Sequence, residues 1–242
     1  SFPDVCFELK LFPCAFARWG FYPTPALVAW ARDHVAEFDV IHLHNLRTFQ
    51  NVVVASAARR AGVPYLISAH GSLSHRVGRR TTKRTFDLLC GRWLIGGARR
   101  MIAVSPLEVD QYGEAGISPD RIVMIPNGLD LDEFVQLPAP GTFRQRVGIP
   151  ADVKLVLSLG RIHRIKGLDL LIEAFGRLQE TTVDAVLVIA GPDDDGELAR
   201  LHTFAAKRGL HSRVQFPGPL YGVDRLAALV DADLVVAPSA YE

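Results

Sequence analysis

Two alternating rhythms of apolar and polar positions run along the chain. Short, mostly β-branched runs stand at Asp39–Leu43, Pro64–Ser68, Met101–Val104 and Arg121–Ile125, and again at Lys154–Leu159, Ala185–Ala190, Val214–Phe216 and Asp233–Val236. Between them, apolar residues recur at helical spacing over Asn51–Ala61, Thr82–Ile95, Leu107–Glu114, Leu168–Gln179, Glu197–Arg208 and Asp224–Val230. A run that is apolar almost throughout, such as KLVLSL or AVLVIA, suits a strand covered on both faces. Strands of that kind alternating with helices make a parallel sheet. The pattern predicts an α/β protein of the doubly wound class.

The rhythm breaks once. Over Asn127–Gly141 an NG pair is followed by LPAPG, and the alternation restarts with the strand at Lys154. This predicts two Rossmann-like domains, residues 1–140 and 141–242, with a cleft between them; one continuous sheet is the alternative. Four strands in each half are few for a doubly wound sheet, and the chain stops at Glu242 directly after one. Both domains are therefore expected to be incomplete, and the chain to be a fragment of a longer protein. No repeat at solenoid periods and no low-complexity tract interrupts either half.

Composition narrows the partners. Apolar residues at 49% and charged residues at 22% support an ordinary globular core. A net charge of +1, close to balance in both halves, gives no ground for bulk attraction to nucleic acid, and no aromatic platform for bases is visible. The three cysteines, Cys6, Cys14 and Cys90, are odd in number and form no C-x-x-C pair. They fit a reducing compartment and argue against a disulfide frame or a zinc site. No apolar run approaches the roughly 18 residues that cross a bilayer.

The most informative segment is SLGRIHRIKG, Ser158–Gly167. It follows an apolar strand and precedes an amphipathic helix, the kind of turn where backbone N–H groups and the helix dipole favour an anion. Arg161 offers a two-pronged guanidinium and Lys166 a compact point charge, a combination suited to a diphosphate. It is not a Walker loop, because the lysine precedes the glycine rather than coming after a G-x-x-x-x-G run. A solvated basic loop is the plainer alternative. Asp193–Asp195 could suggest a D-x-D metal motif, but carboxylates at a helix start cap N–H groups, and that is the favoured reading. His42 and His44 share one strand face; with no third ligand nearby, a metal pair is disfavoured, and His44 is read as reaching the acceptor side of the cleft. Between Arg76 and Arg100 lie eight Lys or Arg residues and one acid, Asp87. That stretch is either a solvated helix face backed by Phe86, Leu89, Trp93 and Leu94, or a surface for an anionic acceptor or membrane.

Eight motifs then occur in order: DVIHLHN (39–45), PYLISAHGSL (64–73), MIAVSPLE (101–108), IPNGLDLDEF (125–134), SLGRIHRIKGLDLLIEAF (158–175), VLVIAGPDDDGE (186–197), VQFPGPL (214–220) and ADLVVAPSAYE (232–242). From about residue 36 onward, the set resembles the retaining, nucleotide-sugar-dependent glycosyltransferases of the GT-B fold, family 4 or group 1. The resemblance implies transfer of a sugar from a nucleoside diphosphate sugar to a hydroxyl acceptor, with retention, pictured as front-face departure and attack through an oxocarbenium-like ion pair. It places the diphosphate on Gly160, Arg161 and Lys166 of the G-R-x-x-x-x-K-G turn, where fixed cations offset charge building on the leaving group. It puts His70 near the donor sugar, which agrees with a strand's carboxyl end and with the close approach Gly71 permits; a structural histidine is the reading without it. Glu242 corresponds to the first glutamate of the family's E-x7-E motif, beside the transferred sugar. No metal or other cofactor is implied. The implied partners are a nucleotide-sugar donor and a glycan or lipid-linked acceptor, with peripheral membrane contact, in the cytoplasm or at the inner membrane surface. The second glutamate and the acceptor-side glycine-rich loop are absent from this stretch, which bears on catalysis by the piece alone. A sugar-nucleotide epimerase, a phosphorolytic enzyme of the same shape and an inactive fragment are the alternatives. A nicotinamide oxidoreductase is disfavoured because no G-x-G-x-x-G follows any strand.

Overall fold

The computed structural model describes residues 7–16, 22–73, 80–178, 183–193 and 196–239. The chain divides into two compact units, Ser1–Gly128 and Leu129–Glu242, within the Pro- and Gly-rich stretch and upstream of the 140/141 boundary read from the sequence.

In chain order the first unit contains α1 (Pro25–His34), β1 (Ile41–His44), α2 (Phe49–Ala61), β2 (Tyr65–Ser68), α3 (Arg80–Phe86), α4 (Arg92–Gly97), β3 (Arg100–Ala103), α5 (Pro106–Glu114) and β4 (Ile122–Met124). The strands pair in the order β1-β2-β3-β4, all parallel. Local chemistry sets the helix ends. Thr48 accepts the Asn51 amide at the start of α2, and Gly62 at φ 74° ends it. Ser105 accepts the Glu108 amide at the start of α5, with Pro106 in the first turn. Leu43, Ile67 and Met101 from the strands pack with Leu46, Leu94 and Tyr112 into one core.

The helix expected over Thr82–Ile95 is real but carries a π turn, Asp87–Gly91, between α3 and α4. A π turn adds a residue to the helical repeat and rotates the next segment about the axis. As a result the apolar stripe does not lie on one face: Leu94 is fully buried, whereas Leu89 stays 72% exposed. The α1 helix and a short later one were not expected from the pattern.

The second unit runs α6 (Thr142–Val147), β5 (Lys154–Leu159), α7 (Leu168–Leu178), β6 (Ala185–Ala190), α8 (Glu197–Ala206), β7 (Val214–Gln215), α9 (Gly222–Asp231) and β8 (Leu234–Val235). Its parallel sheet has the order β7-β6-β5-β8. Alternate residues of β5 and β6 serve opposite faces. Val156, Leu187 and Ile189 pack with Ile172, Phe175 and Leu201 on one side. Leu155, Leu157, Val186 and Val188 pack with Phe143, Ala227 and Ala228 on the other. Burial on both sides explains the continuous apolar runs, each large side chain contributing about 1.5–3 kcal/mol. From β5 the chain moves outward through β6 and β7, then returns to lay β8 on the opposite edge of β5. That reversal creates a topological switch point at the carboxyl ends of β5 and β8, the place where doubly wound sheets bind ligands.

Candidate functional site

The basic turn sits at this switch point, fastened at each end. Gly160 leaves β5 with its amide donating to the Ala190 carbonyl at 3.0 Å. A Cβ on Gly191 would fall 1.8 Å from the Gly160 carbonyl oxygen, so the two strand ends come together only because Gly191 has no side chain. Ile162, 1% exposed, donates its amide to the Pro192 carbonyl at 2.8 Å and pins the next step. His163 Nδ1 accepts the Ile165 amide and caps a single 3₁₀ turn, Arg164–Lys166. Gly167 comes next in the left-handed region at φ 62°, and a Cβ there would stand 2.6 Å from the carbonyl oxygen of Pro238, three residues beyond β8. Leu168, Leu171, Ile172 and Phe175 then bury the inner face of α7. Arg161 and Lys166 are thus carried on a backbone held by strand, turn and helix, with Arg161 exposed and Lys166 half-buried.

Arg164 is the third cation of the turn. Its guanidinium pairs with Glu197, a buried carboxylate that also takes Arg200 Nε at 2.5 Å. The bonds from Arg164, then Arg200, hold the Glu197 carboxyl below the usual carboxylate range. Asp193 Oδ1 accepts the Glu197 amide at 2.9 Å, so Asp193 caps the first turn of α8, as the capping reading has it. Asp194 and Asp195 lie outside the described residues. Among the described residues no three His, Cys, Asp or Glu side chains gather at metal-binding geometry.

In the first unit, His70 stands two residues beyond the end of β2, exposed, with φ 49°, and Gly71 is next at φ 72°. Two left-handed residues in succession turn the chain sharply at the carboxyl edge of the sheet. The β1–β2 register sets His44 against Ser68, which brings His44 Nδ1 to 2.8 Å from His70 Nε2, their rings stacked 5.1 Å apart. One of these two nitrogens carries the hydrogen and the other accepts it. His42 shares the face of His44, ring centroids 4.2 Å apart, and its Nε2 meets the Ser68 hydroxyl at 2.7 Å. Burial, and after it the neighbouring His44 and His70, lowers the His42 pKa.

Around this cluster the backbone is tied by side chains the sequence did not single out. Asn51, 6% exposed, donates to the carbonyls of His44 and Asn45, holding Asn45 at φ 64°. Arg47 reaches the carbonyls of Ser72 and Leu73 and pairs with Asp87 at 2.6 Å. Glu108 and Tyr112 of α5 bind the amides of Gly71 and Ala69. The S-x-x-E of SPLE was a readable capping signal, but its reach to Gly71 was not. Of the residues singled out in the sequence, Gly160, Arg161 and Lys166 share one turn of the second unit, His70 lies in the first, and Glu242 falls outside the described residues.

Comparison with known proteins agrees with this architecture. The Glycosyltransferase Family 4 model matches residues 6–133, and the Glycosyl transferases group 1 model matches residues 141–242. The D-inositol 3-phosphate glycosyltransferase of Frankia alni is 31% identical over 230 residues, covering 88% of this chain and 53% of its own. The putative glycosyltransferase EpsF of Bacillus subtilis is 28% identical over 209 residues, 85% of this chain and 52% of its own. Anabaena Alr3699/HepE, solved in complex with UDP and glucose, superposes with a TM-score of 0.72 at 25% identity, covering 88% of this chain and 56% of that one. Sucrose-phosphate synthase of Thermosynechococcus elongatus shares the fold, with a TM-score of 0.67 at 22% identity over 90% of this chain and 54% of that one. The chain spans about half the length of the curated relatives it matches.

Proposed function

The chain belongs to glycosyltransferase family 4, and from that premise we propose that the whole protein moves a sugar from a nucleoside diphosphate sugar to a hydroxyl acceptor with retention. One observation carries the reading: Arg161 and Lys166 stand on a doubly anchored turn at the switch point of the second sheet. As the glycosidic bond breaks, negative charge grows on the departing diphosphate. Cations held in place by the fold stabilise that charge without reorganising, which lowers the barrier. A neighbour solved with UDP, and again with UDP-glucose, supports a uridine diphosphate sugar as the first donor to assay.

His70 is read as the group that meets the transferred sugar, its ring held by His44. Glu242, through the family motif, is read as the contact to the sugar hydroxyls. No metal ion or other cofactor is part of the proposal. The acceptor is proposed to be a glycan or a lipid-linked hydroxyl, reached from the cytoplasm or from the inner membrane surface by peripheral contact. No helix among the described residues is long and apolar enough to cross a membrane.

The test is Lys166→Ala in the full-length enzyme. It should cut kcat about 10²–10³-fold, the range seen when one preorganised charge-stabilising group is lost, with melting behaviour unchanged. Near-normal turnover refutes the assignment. Donor incubated without acceptor separates the chief rival, since an epimerase alters the sugar's configuration unaided. The anomeric configuration of the product, read by proton coupling constants, decides retention.

A further inference from the structure

Glu108 is 3% exposed, pairs with no basic side chain among the described residues, and spends both of its oxygens on backbone. Oε1 accepts the Gly71 amide at 2.8 Å and Oε2 accepts the Val104 amide at 2.8 Å. One turn further along α5, the fully buried Tyr112 accepts the Ala69 amide at 3.0 Å and donates to the Ile102 carbonyl at 3.0 Å. Burial, the largest influence, raises the Tyr112 pKa and keeps its hydroxyl protonated.

The amides on either side of His70 therefore both end on α5, at positions four apart on one helix face. His70 itself sits at φ 49°, a conformation a residue with a side chain seldom adopts. A capping carboxylate alone would not need this arrangement. In a capping box the N3 carboxylate returns to its own helix start, where water can share the work. Here one oxygen crosses to a loop 37 residues away, and a carboxylate buried for that purpose needs every lone pair used well.

We propose that Glu108, together with Tyr112, is a positioning device for His70. It clamps the Ala69–Gly71 backbone so that the imidazole presents one fixed direction to the sugar. This rests on the role proposed for His70 at the sugar. Arg161 and Lys166 belong to the other unit, so loosening the clamp should affect the chemical step and leave nucleotide binding alone.

The experiment uses the full-length enzyme and UDP as the binding probe. Glu108→Ala should lower kcat about 10–100-fold, the scale of a misplacement approaching 1 Å, with the UDP dissociation constant within twofold. Glu108→Gln retains one carbonyl oxygen for one of the two amides and should fall between wild type and alanine. Tyr112→Phe should lower kcat as well, and the Glu108→Gln/Tyr112→Phe pair should lose less than the product of the two single losses. In the amide spectrum the Gly71 proton should move upfield in Glu108→Gln as its carboxylate partner goes. Asp110→Asn, exposed on the same helix, should leave kcat unchanged. His70→Ala is measured alongside. Normal kcat in His70→Ala overturns the role of His70, and the clamp with it. A crippled His70→Ala beside Glu108 variants within threefold of wild type overturns the clamp alone. Equal losses of kcat and UDP affinity in the Glu108 variants also overturn it. Should Glu108→Ala fail to fold, Glu108→Gln and Tyr112→Phe decide by the same criteria.

Discussion

Replacing Gly167 by alanine separates geometry from charge at the basic turn, because no ionisable group changes. Gly167 sits at φ 62°, directly after Lys166, and the new Cβ would lie 2.6 Å from the Pro238 carbonyl oxygen. The left-handed conformation alone costs an L-residue about 1–2 kcal/mol. Gly209, at φ 71° with nothing within 4 Å, isolates that component. Carbon–oxygen contacts settle near 3.3–3.6 Å, so the turn or the segment after β8 must yield by roughly 0.7–1 Å. Neither yields easily. Leu168 is 5% exposed beside it, and the Val236 amide is bound to the Leu157 carbonyl at 2.8 Å. Overpacking of this kind adds about 1–3 kcal/mol. Gly167→Ala in the full-length enzyme should therefore lose roughly 2–5 kcal/mol in denaturant titration, against about 1–2 kcal/mol for Gly209→Ala. Where both remain folded, displacing Lys166 by most of an ångström should lower kcat/KM for the nucleotide sugar about 10²-fold, while Gly209→Ala stays near wild type. Matching losses in the two variants, in both measurements, would refute the close approach of Gly167 to Pro238 and its control over Lys166.

Other residues give further tests. Asp231 is 7% exposed and accepts the amides of Gly141, Phe143 at 2.7 Å and Arg144 at 2.9 Å, capping α6 from the end of α9. Asp231→Ala should lower unfolding free energy by about 2–3 kcal/mol in urea, and a loss under about 0.5 kcal/mol would contradict this cap. The Leu155 amide, then Lys154, hold the Asp233 carboxyl down at about 2. Against an unfolded value near 3.9, this depressed carboxylate adds stability above about pH 4 that is lost as pH falls through about 2. Asp233→Asn should flatten the stability–pH curve in that window by about 1 kcal/mol, the side chain's partial exposure reducing the full linkage value; an unchanged slope counts against it. Arg164, paired with Glu197, tests the third cation of the turn: Arg164→Ala is expected to leave donor KM within about threefold, whereas Lys166→Ala lowers turnover. A loss in Arg164→Ala equal to that in Lys166→Ala would shift the diphosphate role to the whole turn.

What the sequence made legible depended on how local its cause was. β5 and β6 were read residue for residue because both faces of each strand are buried, so the runs are apolar almost throughout, with Lys154 at the start of β5 and the buried Ser158 as the polar exceptions. β8 is shorter than the expected Asp233–Val236, covering Leu234–Val235, although the amides of Asp233 and Val236 still bond to the Leu155 and Leu157 carbonyls on either side of it. α6 was missed. Its six residues come after a Pro- and Gly-rich stretch, and the group that caps it, Asp231, lies 88 residues beyond Phe143. The stripe over Thr82–Ile95 misled because one π turn changes the phase of everything after it.

The same division runs through the candidate site. Arg161 and Lys166 announced themselves by charge and by neighbouring glycines, but on those grounds alone Arg164 has equal standing. Only the fold shows Glu197 taking it, 33 residues further on. Parallel pairing of β1 and β2 in register would have brought His44 to His70, since the two strands were already read as neighbours in the chain order. Glu108 sits at the limit of local reading. SPLE declares a helix start, yet the bond that ties it to the candidate chemistry spans two strand ends. The residues that touch a ligand must be of particular chemical types, so they leave a mark in the sequence. The residues that aim them need only be in the right place, and that place exists only once the sheet has formed.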